Sequence, residues 1–305
     1  MDDDSIKLLK AFEIVEKAEI TKTDFSFKSI LLVRVQAIKI ASNKKPYLDL
    51  KMQDITGSIR KVRKWSNNGE EHIKDREIFD IGNVVEIEAT FDKGYNSVTI
   101  NKYKLLENHE YAIEDFIKPE NVNAADLIRI LDNVIYKIKN PYLKLLLEKI
   151  FHDKDIRKKF IDCPSSIEHH HSYKHGNLQH TIGMIKTFEE LEKFYEGDTF
   201  LNVDLVHTGI LLHDIAKIEE YSIYNGVPKY ISSDLSHHTD IGKKIIIDKI
   251  KEIDDFPKYL ENQICNIISS HHGKKEWDSL ELPLTNEAEV VHNLDMIDSR
   301  FKLNS

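Results

Sequence analysis

The sequence predicts a two-part molecule, a small β-barrel followed by an all-α helical bundle. Three features of the chain point to it. Between Phe27 and Leu105, short runs rich in β-branched residues alternate with turn residues, the texture of strands. After Glu107 that texture gives way to apolar residues at helical spacing. Twelve of the 15 histidines lie after residue 168, so the chemistry is concentrated in the helical part.

The elements follow in order. Residues 4–19 carry Ile6, Leu9, Phe12 and Val15 at helical spacing, which predicts a lead-in helix. Strands are expected over Ile30 to Ile40, Tyr47 to Met52, Gly57 to Lys64, Val84 to Phe91 and Ser97 to Leu105, with a turn at Asp92-Lys93-Gly94-Tyr95-Asn96. Between the third and fourth, Ser66-Asn67-Asn68-Gly69 begins an irregular or helical insert. Five short strands with one such insert fit a Greek-key barrel of the OB type. Helical texture then covers 109–162, with a start at Asn123-Ala124-Ala125-Asp126 and a stop and restart at Asn140-Pro141. Further runs cover about 175–196, 201–217, 238–252, 257–271 and 286–302. The expected organisation is a helical segment over 1–19, the barrel over 20–107, a helical connector over 108–162 and a metal-bearing bundle over 163–305.

Composition bounds the function. The 305 residues are 41% apolar and 31% charged, enough for real cores and a hydrated surface. No apolar run reaches the length of a membrane span, and the acidic Met1-Asp2-Asp3-Asp4 lacks the layout of a signal peptide. Cys163 and Cys265 stand in no metal or redox spacing and read as reduced thiols, so a cytoplasmic protein with no membrane partner is expected. The net charge of −9 is unevenly spread. Residues 17–107 hold 17 basic and 13 acidic side chains, whereas 108–305 hold 24 and 34. The first part therefore remains compatible with a polyanionic strand.

The donors recur in a fixed order on helical segments: His180, His213-Asp214, His237-His238, His271-His272 and Asp295. Imidazole and carboxylate together are ligands for divalent transition metals. Four apolar residues precede His213-Asp214, and burying that pair without partners would be costly, which a shared metal ion relieves. Lys217 follows on the same helical face and is placed to compensate charge on phosphate oxygens. A single helix cannot surround a metal, so the other donors must converge from separate helices. His72, His109, His152 and His207 are expected to have no chemical role. The run His169-His170-His171 reads either as a hydrophilic loop or as contacts to phosphate or to an added metal, with His170 and His171 the phosphate candidates. No P-loop, dinucleotide-binding glycine pattern or Ser/His/Asp nucleophile is present, which leaves a hydroxide held on metal as the nucleophile.

The ordered pattern resembles the HD-domain metallophosphohydrolase superfamily over about residues 165–302. The resemblance implies that His180, His213, Asp214 and Asp295 hold a core metal. It further implies that His238 and His271, with His272, are the added histidines of the binuclear subclass, with Asp214 bridging. Mn²⁺, Fe²⁺, Ni²⁺ and Zn²⁺ all suit such donors.

In the barrel, basic residues interleave with aromatics: Tyr47 after Lys44-Lys45, Arg63 and Trp65 on one strand, Tyr95 in the last hairpin, then Lys102. That combination suits bases stacked along a basic groove, although aromatics at alternate strand positions also serve as core. A barrel followed by a binuclear HD domain is similar to the YhaM-type 3′→5′ exoribonucleases. The likeness rests on Lys45-Pro46-Tyr47-Leu48, Asp54-Ile55-Thr56-Gly57-Ser58-Ile59, His170-His171-Ser172-Tyr173, Ser270-His271-His272-Gly273-Lys274 and Glu287-Ala288-Glu289-Val290-Val291-His292. It implies processing of single-stranded RNA from the 3′ end with Mn²⁺, with single-stranded DNA as a second substrate, release of nucleoside 5′-monophosphates, and a homo-oligomer such as a ring or dimer as the form such nucleases often take. The chain departs from the family pattern at His175-Gly176, Leu178-Gln179 and His237, none of which removes a ligand. The alternative is a small-nucleotide phosphohydrolase or cyclic-dinucleotide phosphodiesterase with a regulatory barrel, weakened because no Gly-Tyr-Pro follows His271-His272. A nucleic-acid-binding protein with a vestigial site ranks last, since every expected ligand is present.

Overall fold

A computed structural model of the chain describes residues 6–117, 122–168, 171–195, 200–231, 238–273 and 280–301. The chain divides into two units, Met1–Glu120 with Tyr224–Val227, and Asn121–Ile223 with Pro228–Ser305.

The first unit begins with helix α1 (Ala11–Ile20). Strands β1 (Phe25–Ile40), β2 (Pro46–Asp54) and β3 (Gly57–Trp65) follow, then helix α2 (Gly69–Ile78) and strands β4 (Val84–Asp92) and β5 (Ser97–Leu105). The strands close into a barrel in the order β1-β2-β3-β5-β4. The long β1 is antiparallel to both β2 and β4, and the parallel contact Val62↔Val98 closes the ring. Alternation sorts the two faces: Leu48, Leu50 and Met52 of β2 join Phe27, Leu31, Val62, Ile87 and Val98 in the core. The insert is helical and is tied down by buried Asp75, which accepts from Ser66 Oγ and Tyr103 OH, both at 2.6 Å.

The expected helix over 4–19 is corrected: α1 starts at Ala11 and turns a different face inward. Before it, Leu9 N–H donates to Lys28 O and Lys28 N–H to Lys7 O, so this stretch runs beside β1. Asp54 then accepts from Ala11 N–H and Thr56 from Phe12 N–H. These tethers from distant residues rotate the helix so that Ala11 and Ile14 are buried while Phe12 stays 58% exposed.

The second unit is a bundle of α3 (Ala124–Lys137), α4 (Pro141–Phe151), α5 (Lys154–Asp162), α6 (Gly176–Phe194), α7 (Val203–Leu212), α8 (Lys217–Glu220), α9 (His238–Ile250), α10 (Lys258–Ser270) and α11 (Asn286–Phe301). Asn123 and Asn140 cap α3 and α4, and Pro141 opens α4. One apolar core joins Leu143, Leu147, Phe151, Leu178, Ile182, Leu205, Ile210, Ile264, Ile268 and Val291. Two departures from the expectation occur. Residues 109–117 hold only a short 3₁₀ turn rather than an α-helix. The run expected as one helix over 201–217 breaks after Leu212, and a hairpin of β6 (Tyr221–Tyr224) and β7 (Val227–Tyr230) follows α8. Its turn is Asn225-Gly226 with φ of 47° and 72°, the left-handed pair that a tight hairpin requires.

Candidate metal centre

Five helices bring the donors together, two through their interiors and three through their ends. His180 lies in α6 and Asp295 in α11. His213 and His271 cap the C-termini of α7 and α10, and His238 opens α9. His180, His213, Asp214 and His271 are at most 2% exposed. His180 Nε2 lies 3.2 Å from His213 Nε2 and 3.2 Å from Asp295 Oδ1. Asp214 Oδ2 is 3.2 Å from His213 Nε2 and 3.9 Å from His180 Nε2. Its other oxygen, Oδ1, is 3.7 Å from His271 Nε2, and His271 Nε2 is 3.4 Å from His238 Nε2. His238, His271 and His272 form a second group of converging donor atoms beside that of His180, His213 and Asp295.

This arrangement fits metal ions. The Nδ1 atoms of His180, His213 and His271 face Asp298 Oδ2 (2.7 Å), Ile210 O (2.8 Å) and Ile268 O (2.7 Å). Those oxygens only accept, so each Nδ1 carries the proton and each Nε2 is left as a donor atom turned inward. Lone pairs facing one another at 3.2 Å repel unless a cation or a proton lies between them. Asp214 Oδ1 and His272 Nδ1 are buried with no hydrogen-bond partner among the described residues, and a metal would supply one. With one Asp214 oxygen on each group, the carboxylate has the disposition of a bridge.

Residues 177–300 match the family model for the HD domain. The chain carries an HD domain. It is also 26% identical over 277 residues to the 3′-5′ exoribonuclease YhaM of Bacillus licheniformis, covering 90% of this chain and 84% of that protein. The figures are the same for the YhaM of Bacillus pumilus. Among solved structures, yeast Stn1 and Ten1 matches 43% of this chain and 84% of that chain at 12% identity, with a TM-score of 0.30, too low to bear on the fold. The HD domain and the nuclease relatives support a metal-dependent phosphohydrolase.

The electrostatics of the HD domain's centre suit cations. Burial alone would raise the Asp214 carboxyl, but Lys217 and His213 outweigh it and hold it well below the usual carboxylate range. Lys217 Nζ donates to Asp214 Oδ2 at 2.5 Å. Burial, aided by His272, pushes His271 well below the ordinary imidazole value, keeping it neutral. His180 moves the other way: burial would lower it, but the carboxylates of Asp295 and Asp298 raise it to about 9. In the metal-free protein a proton therefore stands where a cation would bind, and its contribution to stability is full below the unfolded value of 6.5 and lost as pH rises through about 9. A metal must displace that proton. Apparent Mn²⁺ affinity is thus expected to rise by about tenfold per pH unit between about pH 7 and pH 8, for one proton released. Calorimetric titration of metal-free protein at the two values checks this; an affinity indifferent to pH would contradict it.

His171 is 3% exposed rather than open to solvent, with Nδ1 on the Tyr173 hydroxyl and Nε2 on Asp298 Oδ2, both at 2.8 Å. His170 and His237 lie outside the described residues. The sequence reading missed Asp298, which holds both His180 and His171, and His292, whose Nδ1 donates to His271 O at 2.6 Å. The departure at His175-Gly176 falls at a backbone turn that favours glycine at both positions. His175 itself adopts the left-handed conformation at φ 69°, while a Cβ on Gly176 would stand 1.9 Å from His171 O.

In the barrel, three of the five candidates meet. Tyr47 and Trp65 are cross-strand partners whose rings stack at 4.6 Å, with the Arg63 guanidinium 5.7 Å from the Tyr47 ring. They alternate with core residues Leu48 and Val62, so their side chains are half-buried on the outer face. Tyr95 is 73% exposed at the β4–β5 turn, and Lys102 pairs with Glu88 at 3.1 Å. Among the described residues, no helix is long and apolar enough to cross a membrane.

Proposed function

We propose that the chain is a 3′→5′ exonuclease of single-stranded RNA, with single-stranded DNA as a second substrate, that releases nucleoside 5′-monophosphates with the aid of two divalent ions. The observation that carries the reading is Asp214, which turns one oxygen to each of two histidine groups. The likeness to YhaM exoribonucleases over 90% of the chain supplies the substrate class.

His180, His213 and Asp295 would hold one ion, His238, His271 and His272 the other, and Asp214 both. Mn²⁺ is the proposed metal, and Fe²⁺, Ni²⁺ and Zn²⁺ also suit the donors. When bound, such a pair supplies an activated water and neutralises charge on the scissile phosphate. The protein contributes a fixed frame. The inward Nε2 atoms are oriented by Asp298 and two backbone carbonyls, and burial excludes bulk water. Lys217 holds Asp214 and adds a buried positive charge beside the phosphate position. The exposed Tyr95 and the Tyr47–Trp65 stack offer π-faces to unpaired bases, and Arg63 offers charge to the backbone. The free thiols of Cys163 and Cys265 fit a cytoplasmic setting.

Lys217→Ala is expected to lower kcat by about a hundredfold, the scale of one lost transition-state donor, with a smaller fall in bound metal. Parallel turnover and metal analysis test this, and unchanged turnover would remove the role. The proposal itself is tested with 5′-labelled single-stranded RNA, with and without Mn²⁺, on a sequencing gel. A Mn²⁺-dependent ladder shortening from the 3′ end is the expected result. Intact RNA alongside hydrolysis of mononucleotides or cyclic dinucleotides would replace it with the small-nucleotide reading.

A further inference from the structure

The three histidines that face the centre with assigned Nδ1 protons are not held alike. His213 and His271 stand at the C-termini of α7 and α10, and each donates to the carbonyl three residues back, Ile210 O and Ile268 O. Carbonyls in a last helical turn lack helical partners and are free to accept. His180 stands well inside α6, where the preceding carbonyls are committed to the helix; Asn177 O, three residues back, accepts from the Thr181 hydroxyl. Its Nδ1 proton therefore needs an acceptor from outside the helix, and Asp298 of α11 provides it at 2.7 Å. The same Asp298 oxygen receives His171 Nε2 at 2.8 Å, and His171 leans on the Tyr173 hydroxyl. Two histidines thus meet at one carboxylate oxygen.

The other carboxylate oxygen, Asp298 Oδ1, lies against α6 at Gly183, one turn beyond His180. A Cβ built on Gly183 would stand 2.2 Å from Oδ1 and 3.2 Å from the carboxylate carbon. No side chain fits there while Asp298 keeps its place. Glycine inside a 19-residue helix is otherwise disfavoured, because it gives up more backbone freedom than alanine.

We infer that Gly183, Asp298 and His171 form a positioning device for His180, in which Gly183 provides the clearance that lets Asp298 hold the imidazole with Nε2 facing the metal position. Gly183 and Asp298 touch no reacting atom; they act through His180. The device serves one of the two donor groups, since His271 is held by its own helix and His238 and His272 lie on the far side of Asp214. The inference rests on the metal-centre reading above.

The test is Mn²⁺ titration of the metal-free full chain, followed by calorimetry and by the electron paramagnetic resonance of free and bound Mn²⁺. The wild type is expected to take two ions. Asp298→Ala should weaken one of them by about 10–100-fold, the usual effect of removing a partner that orients a ligand, and leave the other in place. Gly183→Ala should weaken the same ion to a similar degree, despite alanine's better helix propensity. In the double variant the alanine at 183 has no carboxylate to displace, so the loss should equal that of Asp298→Ala alone. Asp298→Leu, which likewise removes the acceptor, gives the same reading should Asp298→Ala not fold: loss confined to one ion supports the device, and unchanged affinities overturn it. Wild-type affinity in Gly183→Ala, or losses that multiply in the double variant, would also overturn it. A wild type that takes no Mn²⁺ would instead overturn the metal-centre reading, and the inference with it.

Discussion

Replacing Asp214 by alanine is expected to lower hydrolysis of single-stranded RNA by at least about a thousandfold, a loss of about 4 kcal/mol in transition-state stabilisation. Three consequences of the geometry add to this. The substitution removes a carboxylate whose two oxygens face both histidine groups, at 3.2 Å and 3.7 Å. It leaves the buried Lys217 ammonium without its 2.5 Å partner, placing a positive charge beside the cation positions. It also removes the negative charge that draws cations to the site. Both ions should therefore be lost together, because they share the ligand. Asp214→Asn is expected to fall between, since the amide keeps an acceptor oxygen but not the charge. The assay is kcat/KM on labelled RNA with metal content measured on the same preparation. Filter binding of the RNA should remain near wild type, which separates loss of chemistry from loss of fold. Near-normal turnover in Asp214→Ala would refute the shared-ligand centre.

The parts of the molecule set by local pattern were readable, and those set by distant contacts were not. Each barrel strand carries its own alternation, and His213-Asp214 and His271-His272 announce themselves by following apolar helical runs. Their carbonyl acceptors lie three residues back, so such sites are nearly self-contained. Asp298 is different. It follows Asp295 by three residues on α11, but its meaning comes from His171 and His180, 127 and 118 positions away. Nothing in the spacing distinguishes it from a solvated aspartate. His171 shows the converse, a histidine in a polar run that reads as exposed until Tyr173 and Asp298 are found around it. The start of α1 likewise depends on Asp54 and Thr56 reaching back to Ala11 and Phe12. The β6–β7 hairpin was a different omission, because Asn225-Gly226 is a local turn signal that the helical background obscured.

Removing both aromatic rings in Tyr47→Ala/Trp65→Ala is expected to weaken binding of long single-stranded RNA by about tenfold to a hundredfold per ring, following the 1–3 kcal/mol that a stacked base contributes. Hydrolysis of a dinucleotide should be spared, since neither ring belongs to the HD domain's donor groups. Stability is the competing explanation, and its magnitude decides the matter. The two residues are cross-strand partners on the outer face, where such a pair contributes about 0.2–1 kcal/mol to the sheet. The barrel core of Phe27, Leu48, Leu50 and Val62 is left intact. A modest fall in melting temperature with a large fall in RNA affinity is therefore the expected signature. Arg63 extends the argument: with its guanidinium over the Tyr47 ring, Arg63→Ala should reduce the salt dependence of binding by about one counterion, across sequences alike. Electrophoretic or anisotropy titrations at two salt concentrations measure both effects. If the double variant binds long RNA as the wild type does, this face of the barrel is not where the strand lies, and affinity must come from elsewhere, with the exposed Tyr95 turn the next surface to probe.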